Sequence, residues 1–182
     1  ISSYTYPPVT LGASKYCGPL VYLRRSGVST ASDTYSFAVM LFEMLTTCHP
    51  FIGEDADELS ADELSTAIDS GKLEYIGDGN TTKNKSEDFE DTQIFLPGEL
   101  ATLFERMYVN GKFDVSSRPT INDFKAATIQ SVRKIVKCDH KGCEREYLFN
   151  KDTICAFCGH KTNKVLTARV EKLICASEHL LL

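Results

Sequence analysis

Four cysteines near the end of the sequence have the residue type and spacing of ligands for one metal ion. Cys138 and Cys143 form one pair and Cys155 and Cys158 a second, separated by four, eleven and two residues in turn. Cysteines two to four residues apart let two thiolates from one tight turn bind a tetrahedral ion, with backbone N–H groups hydrogen-bonding the sulfurs. Gly159 offers the permissive backbone that such a turn needs. The spacing predicts a small β ribbon that holds one structural zinc ion.

Two other interpretations of these cysteines stay open. They could remain reduced thiols without a metal, or two of them could form a disulfide. His140 or His160 could also replace one cysteine, because imidazole nitrogens bind zinc as well. A site closed by four protein ligands leaves no position for water or substrate, so we expect a role in structure or recognition and no catalysis.

The predicted ribbon is basic, which raises the question of nucleic acid as a partner. Its cations are Lys141, Arg145, Lys151, Lys161 and Lys164. Surfaces that bind single strands interleave such cations with aromatic rings for base stacking, and these rings are sparse here. Nucleic acid is therefore not expected as a partner.

The composition is that of an ordinary globular protein. The 182 residues are 42% hydrophobic and 25% charged with a net charge of -5, which is enough apolar material for a core. No stretch approaches the roughly 18 consecutive apolar residues of a membrane span, so none is expected. Cys17, Cys48 and Cys175 are scattered, which fits a reducing cytoplasm. Because the sequence begins with Ile1, we expect it to come from a longer protein.

The apolar pattern before the cysteines is mostly helical. Residues 29–46 carry apolar groups around the whole circumference of a helix, which predicts a buried central helix. Residues 77–91 are rich in Asn, Thr, Lys and acids and predict a loop. Further helices are predicted over 20–24, over 57–70 with Gly71 as cap, from Pro97 onward and over 121–136. The predicted fold class is mostly α, followed by the small β ribbon.

This helical part resembles the C-terminal lobe of protein kinases through four motifs in the family's order. Residues 32–45, followed by His-Pro-Phe at 49–51, resemble the central buried helix of that lobe. Residues 16–20 stand where the family has Ala-Pro-Glu, and Leu-Pro at 96–97 opens the penultimate helix. Ser-Arg-Pro-Thr at 117–120 resembles the Arg-Pro-Thr/Ser motif before the last helix.

The resemblance covers Val9 to about Val136 and implies a domain organisation. Bacterial kinase-like proteins with a cysteine-rich ribbon after the last helix resemble the whole arrangement. The expected domains are a kinase-like C-lobe fragment at 1–136, from the activation segment to the last helix, and a zinc ribbon at 137–164. A strand-like tail at 165–182 is expected to open a further domain.

The resemblance also implies roles for individual residues. Asp33 matches the acid that hydrogen-bonds the backbone of the catalytic loop. Glu43 matches a position that contacts a basic residue of the substrate in some kinases, and a structural carboxylate is the alternative. Arg118 matches the arginine that pairs with the Glu of Ala-Pro-Glu, whose place is taken here by Leu20. Ala13 falls where the family usually has a threonine that contacts the catalytic groups.

Phosphoryl transfer requires a glycine-rich loop, a strand lysine, a catalytic Asp and a metal-binding Asp-Phe-Gly. The sequence contains none of these motifs, so neither a catalytic nor a cofactor-binding residue is predicted. The resemblance therefore implies the C-terminal part of an ATP-dependent serine/threonine kinase-like protein, inactive as this chain, whose parent binds ATP and Mg and a protein substrate. The alternative is a pseudokinase scaffold or protein-binding module, which Ala13 and Leu20 favour. Apolar surface left bare on the fragment predicts self-association or pairing with the rest of the parent.

Overall fold

The computed structural model describes residues 15–80, 83–149 and 154–162. The chain divides into two compact units, Ile1–Ile135 and Val136–Leu182. The described residues form six α-helices and a small two-stranded antiparallel sheet near the C-terminus, which confirms the predicted mostly α fold class. The predictions for Ala13, Cys175 and the tail at 165–182 lie outside the described residues.

The first unit contains all six α-helices of the described residues. They are α1 (Pro19–Tyr22), α2 (Thr30–Thr46), α3 (Ala61–Asp69), α4 (Glu87–Thr92), α5 (Gly98–Glu105) and α6 (Ile121–Val132). A π-helical turn, Arg106–Asn110, follows α5 directly. No helix in the described ranges is long and apolar enough to cross a membrane.

Helix α2 lies at the centre of the apolar core. Its Ala38, Val39 and Phe42 are fully buried. The Phe42 ring makes edge contacts with Phe104 of α5 and with Tyr108 of the π-helical turn, at centroid distances of 5.1 and 6.2 Å. Aromatic pairs in this geometry add to the stabilisation that burial alone provides. The sequence correctly placed this helix at the centre of the unit.

One face of α2 is nevertheless exposed. Met40 and Met44, one turn apart, are 49% and 80% accessible to solvent. The expectation that α2 is buried on every side is therefore wrong for this face. A periodic pattern cannot reveal which side of an all-apolar helix lacks a neighbour, because every side looks equally apolar.

The prediction of a loop over residues 77–91 is wrong for its second half. Helix α4 begins at Glu87, where the Ser86 side chain accepts a hydrogen bond from the backbone of Phe89. Phe89 is buried in the core, and the fully buried Asn84 donates to the carbonyl of Phe51 at 3.1 Å. One apolar anchor and one buried amide thus order a segment whose composition is otherwise that of a loop.

The end of α3 confirms the predicted glycine cap. Gly71 has φ +74°, in the left-handed region. Its N–H donates to the Ile68 carbonyl, and the Lys72 N–H donates to the Ala67 carbonyl, both at 2.9 Å. This pair of bonds is a Schellman motif, which satisfies carbonyls that the helix end leaves without partners.

The second unit is built around two short strands and the cysteine turns. Strands β1 (Ile135–Lys137) and β2 (Glu146–Leu148) pair with each other, and an antiparallel bridge joins Ile154 to Lys161. Cys138, Tyr147 and Cys155 form its small buried cluster. So small an apolar core is not expected to stabilise a fold by itself.

Candidate metal centre

The structure brings the four predicted ligands together. The Sγ atoms of Cys138, Cys143, Cys155 and Cys158 all lie within 4.8 Å of one another. The Cys138–Cys158 and Cys143–Cys155 sulfur pairs are 3.7 and 3.9 Å apart. Four sulfurs bound to one tetrahedral ion at about 2.3 Å lie about 3.8 Å from each other. The four thiols therefore have the arrangement of ligands that can hold one metal ion.

Two tight turns position these thiols. In the first turn the Cys143 N–H donates to the His140 carbonyl at 3.1 Å, and Gly142 has φ +100°. In the second turn the Gly159 N–H donates to the Cys155 carbonyl at 2.9 Å, and Gly159 has φ +68°. Both glycines occupy backbone conformations that other residues rarely adopt, as the sequence indicated for Gly159.

Backbone N–H groups of the same turns hydrogen-bond three of the four sulfurs. The donors are His140 to Cys138, Phe157 and Cys158 to Cys155, and His160 to Cys158. Hydrogen bonds of this kind stabilise thiolates and orient them toward a metal. The turns thus supply part of the positive potential that a cluster of thiolates requires.

Burial, backbone N–H groups and neighbouring thiols shift the pKa values of the four-cysteine cluster in opposite directions. Burial raises the pKa of Cys155, but the N–H groups of Phe157 and Cys158 and the neighbouring thiols lower it to about 7. The N–H of His140 lowers the pKa of Cys138, whereas burial and the other three thiols raise it to about 12. One thiolate therefore forms readily, and its negative charge opposes the ionisation of the next thiol. A bound cation removes this opposition and lets all four thiols ionise.

The two histidines beside the cluster are not among its mutually close ligand atoms. Their rings stack on each other, with centroids 5.0 Å apart and planes 22° from parallel. The His160 Nε2 also lies 3.0 Å from Asp139 Oδ1, which gives this imidazole a partner of its own. The geometry thus favours four cysteine ligands over a set that includes His140 or His160.

The centre has a buried side and an open side. Cys138 and Cys155 are 3% and 1% exposed, whereas Cys143 is half-buried and Cys158 is exposed. Cys143 and Cys158 line a surface cavity of about 490 Å³ together with cationic and aromatic residues, among them Arg145. Two of the four cysteines are therefore accessible to solvent, and two are buried in the unit.

Asp33 and Glu43 lie at different ends of α2. Asp33 is exposed in the first turn, and Glu43 is half-buried near the C-terminal end. Ten residues of α-helix separate them by about 15 Å along its axis, so they do not form one site. The Glu43 Oε2 accepts a hydrogen bond from the Tyr16 hydroxyl at 2.8 Å.

Arg118 is buried without a carboxylate partner in the part of the chain that the structure describes. Its Nε donates to the Gly111 carbonyl at 2.7 Å, and its two terminal nitrogens donate to the carbonyls of Ala31 and Lys112 at 3.3 and 3.4 Å. The guanidinium carbon also lies 4.9 Å from the centre of the Tyr35 ring. Carbonyl oxygens and an aromatic face thus take the place of an ion pair.

The sequence did not predict the contacts of residues 15–16. Four hydrogen bonds connect these two residues to α2 and to residues that follow it. The Lys15 N–H donates to Asp69 Oδ1 at 2.8 Å, and the His49 Nε2 lies 3.1 Å from the Lys15 carbonyl. Ser36 Oγ donates to the Tyr16 carbonyl at 2.9 Å, and the Tyr16 hydroxyl donates to Glu43. Lys15 has φ +77°, a strained conformation that these bonds hold. The His-Pro-Phe motif at 49–51 was the one sequence feature that pointed to this contact. Spacing along the chain does not reveal that His49 contacts Lys15.

The tautomer of His49 follows from its two hydrogen bonds. The Phe51 N–H donates to Nδ1 at 3.2 Å, so Nδ1 is unprotonated and Nε2 carries the hydrogen donated to Lys15. Burial lowers the pKa of His49, although the Lys15 hydrogen bond and the Glu43 and Asp69 charges raise it. The neutral ring therefore satisfies both bonds.

No protein family model matches this sequence, and no curated protein matches it. The functional proposals for this chain consequently rest on the geometry of its described residues and on the resemblance of its motifs.

Proposed function

We propose that the four-cysteine centre binds one zinc ion that holds the second unit folded and takes no part in catalysis. The observation that carries this proposal is the mutual approach of four sulfurs within 4.8 Å. Four thiolates complete the tetrahedral coordination of Zn²⁺ and leave no open position for water or substrate. Zinc is the preferred candidate. A tetrahedral set of four sulfurs selects zinc or iron, and structural sites with four cysteine ligands commonly hold zinc.

Cobalt substitution tests the ligand set of this centre. The purified full chain, stripped of metal and titrated with Co²⁺, should develop the visible absorption of tetrahedral cobalt with thiolate charge-transfer bands, saturating at one equivalent. Added Zn²⁺ should abolish the spectrum by displacement, because zinc binds such sites more tightly. A spectrum of octahedral cobalt without thiolate bands would contradict the proposed centre.

We also propose that the first unit belongs to the C-terminal part of an ATP-dependent serine/threonine protein kinase-like protein of a bacterial type, located in the reducing cytoplasm. The motif order supports this, as does the position of Arg118 beside the segment that resembles Ala-Pro-Glu. A β-carbon placed on Gly18 of that segment would lie 3.6 Å from the Arg118 Nη2. The buried α2 with its anchored segment 15–16 further supports the proposal.

In this role the chain positions a protein substrate while other parts of its parent bind Mg and ATP. The anchored segment 15–16 gives a rigid edge, and rigid placement of a reacting group is a major source of catalytic rate. Glu43 uses Oε2 for Tyr16 and retains its second oxygen to accept a hydrogen bond from a basic substrate residue. Asp33, exposed on the first turn of α2, is available to hold the backbone of a catalytic loop.

A pulldown of the native protein tests this proposal. An antibody raised against this chain should capture a polypeptide larger than 20.3 kDa that phosphorylates Ser or Thr peptides with Mg-ATP. The chain alone should transfer no phosphate. Capture of a 20.3 kDa product with no ATP binding would contradict the kinase proposal.

A pseudokinase scaffold is the second candidate, and the environment of Arg118 favours it. An arginine held by three carbonyls has no need of the missing carboxylate at Leu20, so the lobe can remain folded without a regulated ion pair. A captured polypeptide of larger size that binds protein partners but neither ATP nor Mg would support the scaffold over the kinase.

A further inference from the structure

Cys158 differs from the other three cysteines of the centre in its exposure. Cys138 and Cys155 are almost completely buried, and Cys143 is half-buried, whereas Cys158 is exposed. The cavity beside the centre is lined by Cys158 and Cys143. A small reagent in solvent therefore has readier access to Cys158 than to Cys138 and Cys155.

Two cationic side chains line the same cavity. Lys141 and Arg145 line it, and the guanidinium carbon of Arg145 lies 5.1 Å from the centre of the exposed Phe157 ring. The described residues give neither cation an ion pair, because the acids Asp139 and Glu144 pair with His160 and Lys137. Positive charge near a reacting thiolate stabilises the hydroxide ion that leaves when peroxide oxidises the sulfur.

We propose that Cys158 is a modification site for peroxide-class oxidants, and that its oxidation closes a disulfide with Cys138 and releases the metal ion. This inference rests on the zinc centre proposed above. Cys138 is the assigned partner because its sulfur lies 3.7 Å from that of Cys158. The centre thereby acts as a structural clasp that an oxidant opens.

The chemistry balances in two steps. The Cys158 thiolate attacks one oxygen of hydrogen peroxide, the O–O bond breaks, and the products are Cys158 sulfenic acid and hydroxide. The Cys138 thiolate then attacks the sulfenic sulfur, the S–O bond breaks, and a second hydroxide leaves as the disulfide forms. Two thiolates lose two electrons in total, and one peroxide gains them.

Loss of the metal ion follows from the loss of ligands. The disulfide removes two of the four thiolates, and Cys143 and Cys155 alone leave the ion with half of its protein ligands. Cys138 and Cys155 are also part of the only buried cluster described in the second unit, together with Tyr147. We therefore expect zinc release and unfolding of this unit to occur together.

Peroxide titration of the zinc-loaded full chain tests the proposal. Zinc content is measured first, release is followed with a chromogenic chelator, and samples taken at half release are mapped by peptide mass spectrometry after blocking of free thiols. The expected first disulfide joins Cys138 to Cys158. A first disulfide that leaves out Cys158, or one that joins it to Cys155, overturns the assigned pathway.

Two ligand-preserving variants provide a matched comparison. Cys158→His and Cys143→His each keep four ligands, since three cysteines and one histidine also form structural zinc sites. Removal of the attacked sulfur in Cys158→His should slow peroxide-driven zinc release at least about fivefold, while Cys143→His should change it less than about twofold. Equal slowing in both variants overturns the special role of Cys158.

The outcomes also separate this inference from the zinc proposal. A wild-type chain that holds no zinc before peroxide is added refutes the zinc proposal. A chain that holds zinc but oxidises first at Cys17 or Cys48, with the metal retained, refutes the inference and leaves the zinc proposal intact. If neither histidine variant loads with zinc, the wild-type disulfide map alone decides.

Discussion

The guanidinium of Arg118 is buried among carbonyl oxygens, with the Tyr35 ring beneath it. Burial lowers the pKa of Arg118, while Tyr35 and Asp114 raise it. A planar group with several donors in a fixed fork can reach three carbonyls at once, which a lysine ammonium cannot do in the same geometry. Arg118 thus connects the start of α2 to the turn at Gly111 by hydrogen bonds to carbonyls, with no direct ion pair to an acid among the described residues.

Substitution of Arg118 by lysine tests this connection. Arg118→Lys should lower the unfolding free energy of the first unit by about 1–3 kcal/mol, because buried carbonyls lose their donors. Urea denaturation measures the change. Arg106→Lys is the matched control, since the exposed Arg106 also donates its Nε to a carbonyl, that of Ser117 at 2.9 Å, and should change stability by less than about 0.5 kcal/mol. Equal losses in the two variants would refute the special role of burial.

His49 predicts a pH dependence of stability. Its pKa is lowered in the folded state by burial, so below its ordinary value of 6.5 the unfolded chain binds a proton that the folded ring does not. The contribution of His49 to unfolding free energy is therefore constant above pH 6.5 and falls as pH decreases from 6.5 toward the folded pKa. Urea midpoints measured from pH 5 to 8 should show this fall below pH 6.5.

The variant His49→Gln provides the control for this dependence. Glutamine can still accept from Phe51 or donate to Lys15, but it does not titrate. Its urea midpoint should therefore vary less than that of the wild type between pH 5 and 7. An unchanged pH profile in His49→Gln would show that another group is responsible.

At the scale of elements, the glycine cap of α3 was more predictable than the loop. Ser29, Ser60 and Thr120 each begin a helix with a capping box, but only Ser60 and Glu63 have the Ser-x-x-Glu pattern by which a sequence indicates one. The predicted helix over 57–70 is wrong at its start, because Ser60 is the N-cap and α3 begins at Ala61. Helix α4 was missed because its one buried apolar residue, Phe89, lies among acids. Helix α6 ends at Val132 instead of near Val136, since β1 begins three residues later. Contacts between residues distant in sequence determine the formation of α4 and the end of α6. No local sequence pattern shows those contacts.

The glycine cap at the end of α3 predicts how substitution of Gly71 changes stability. Gly71→Ala should lower the unfolding free energy by about 1–3 kcal/mol, because φ +74° is strained for alanine and the new β-carbon would lie 2.7 Å from Phe113 and 2.9 Å from Pro19. Thermal and urea unfolding measure the loss. Gly98→Ala is the control, since its β-carbon meets nothing within 4 Å in the first turn of α5, and it should be neutral or stabilising by up to about 1 kcal/mol. A neutral Gly71→Ala would contradict the cap.

For the whole molecule, the clustering of the four cysteines was predictable from the sequence and the surfaces were not. The four ligands lie within one short stretch of sequence, where spacing alone restricts their geometry. The exposed face of α2 and the contacts of segment 15–16 depend on residues distant in sequence, such as Asp69 and Lys15, 54 positions apart. The kinase resemblance and the domain limits at 136 and 164 remain predictions.

The exposed apolar face of α2 predicts self-association of the chain. Met40 and Met44 present an apolar face on α2, and paired burial of such a face is a common reason for dimers. Sedimentation velocity of the full chain should show a weight-average mass that rises with concentration. Met44→Lys should reduce this rise, whereas Gln130→Lys, which adds the same charge on α6, should not. A concentration-independent monomer would contradict the prediction.

Native mass spectrometry of the full chain is the decisive test of the proposed zinc centre, because it counts the metal ions and identifies them by mass. We expect one zinc ion per chain. A Cys155→Ser, Cys158→Ser double variant should carry none, and its residues 136–149 should show rapid amide exchange while α2 stays protected. A wild-type chain that folds its second unit with four free thiols and no metal would refute the zinc centre.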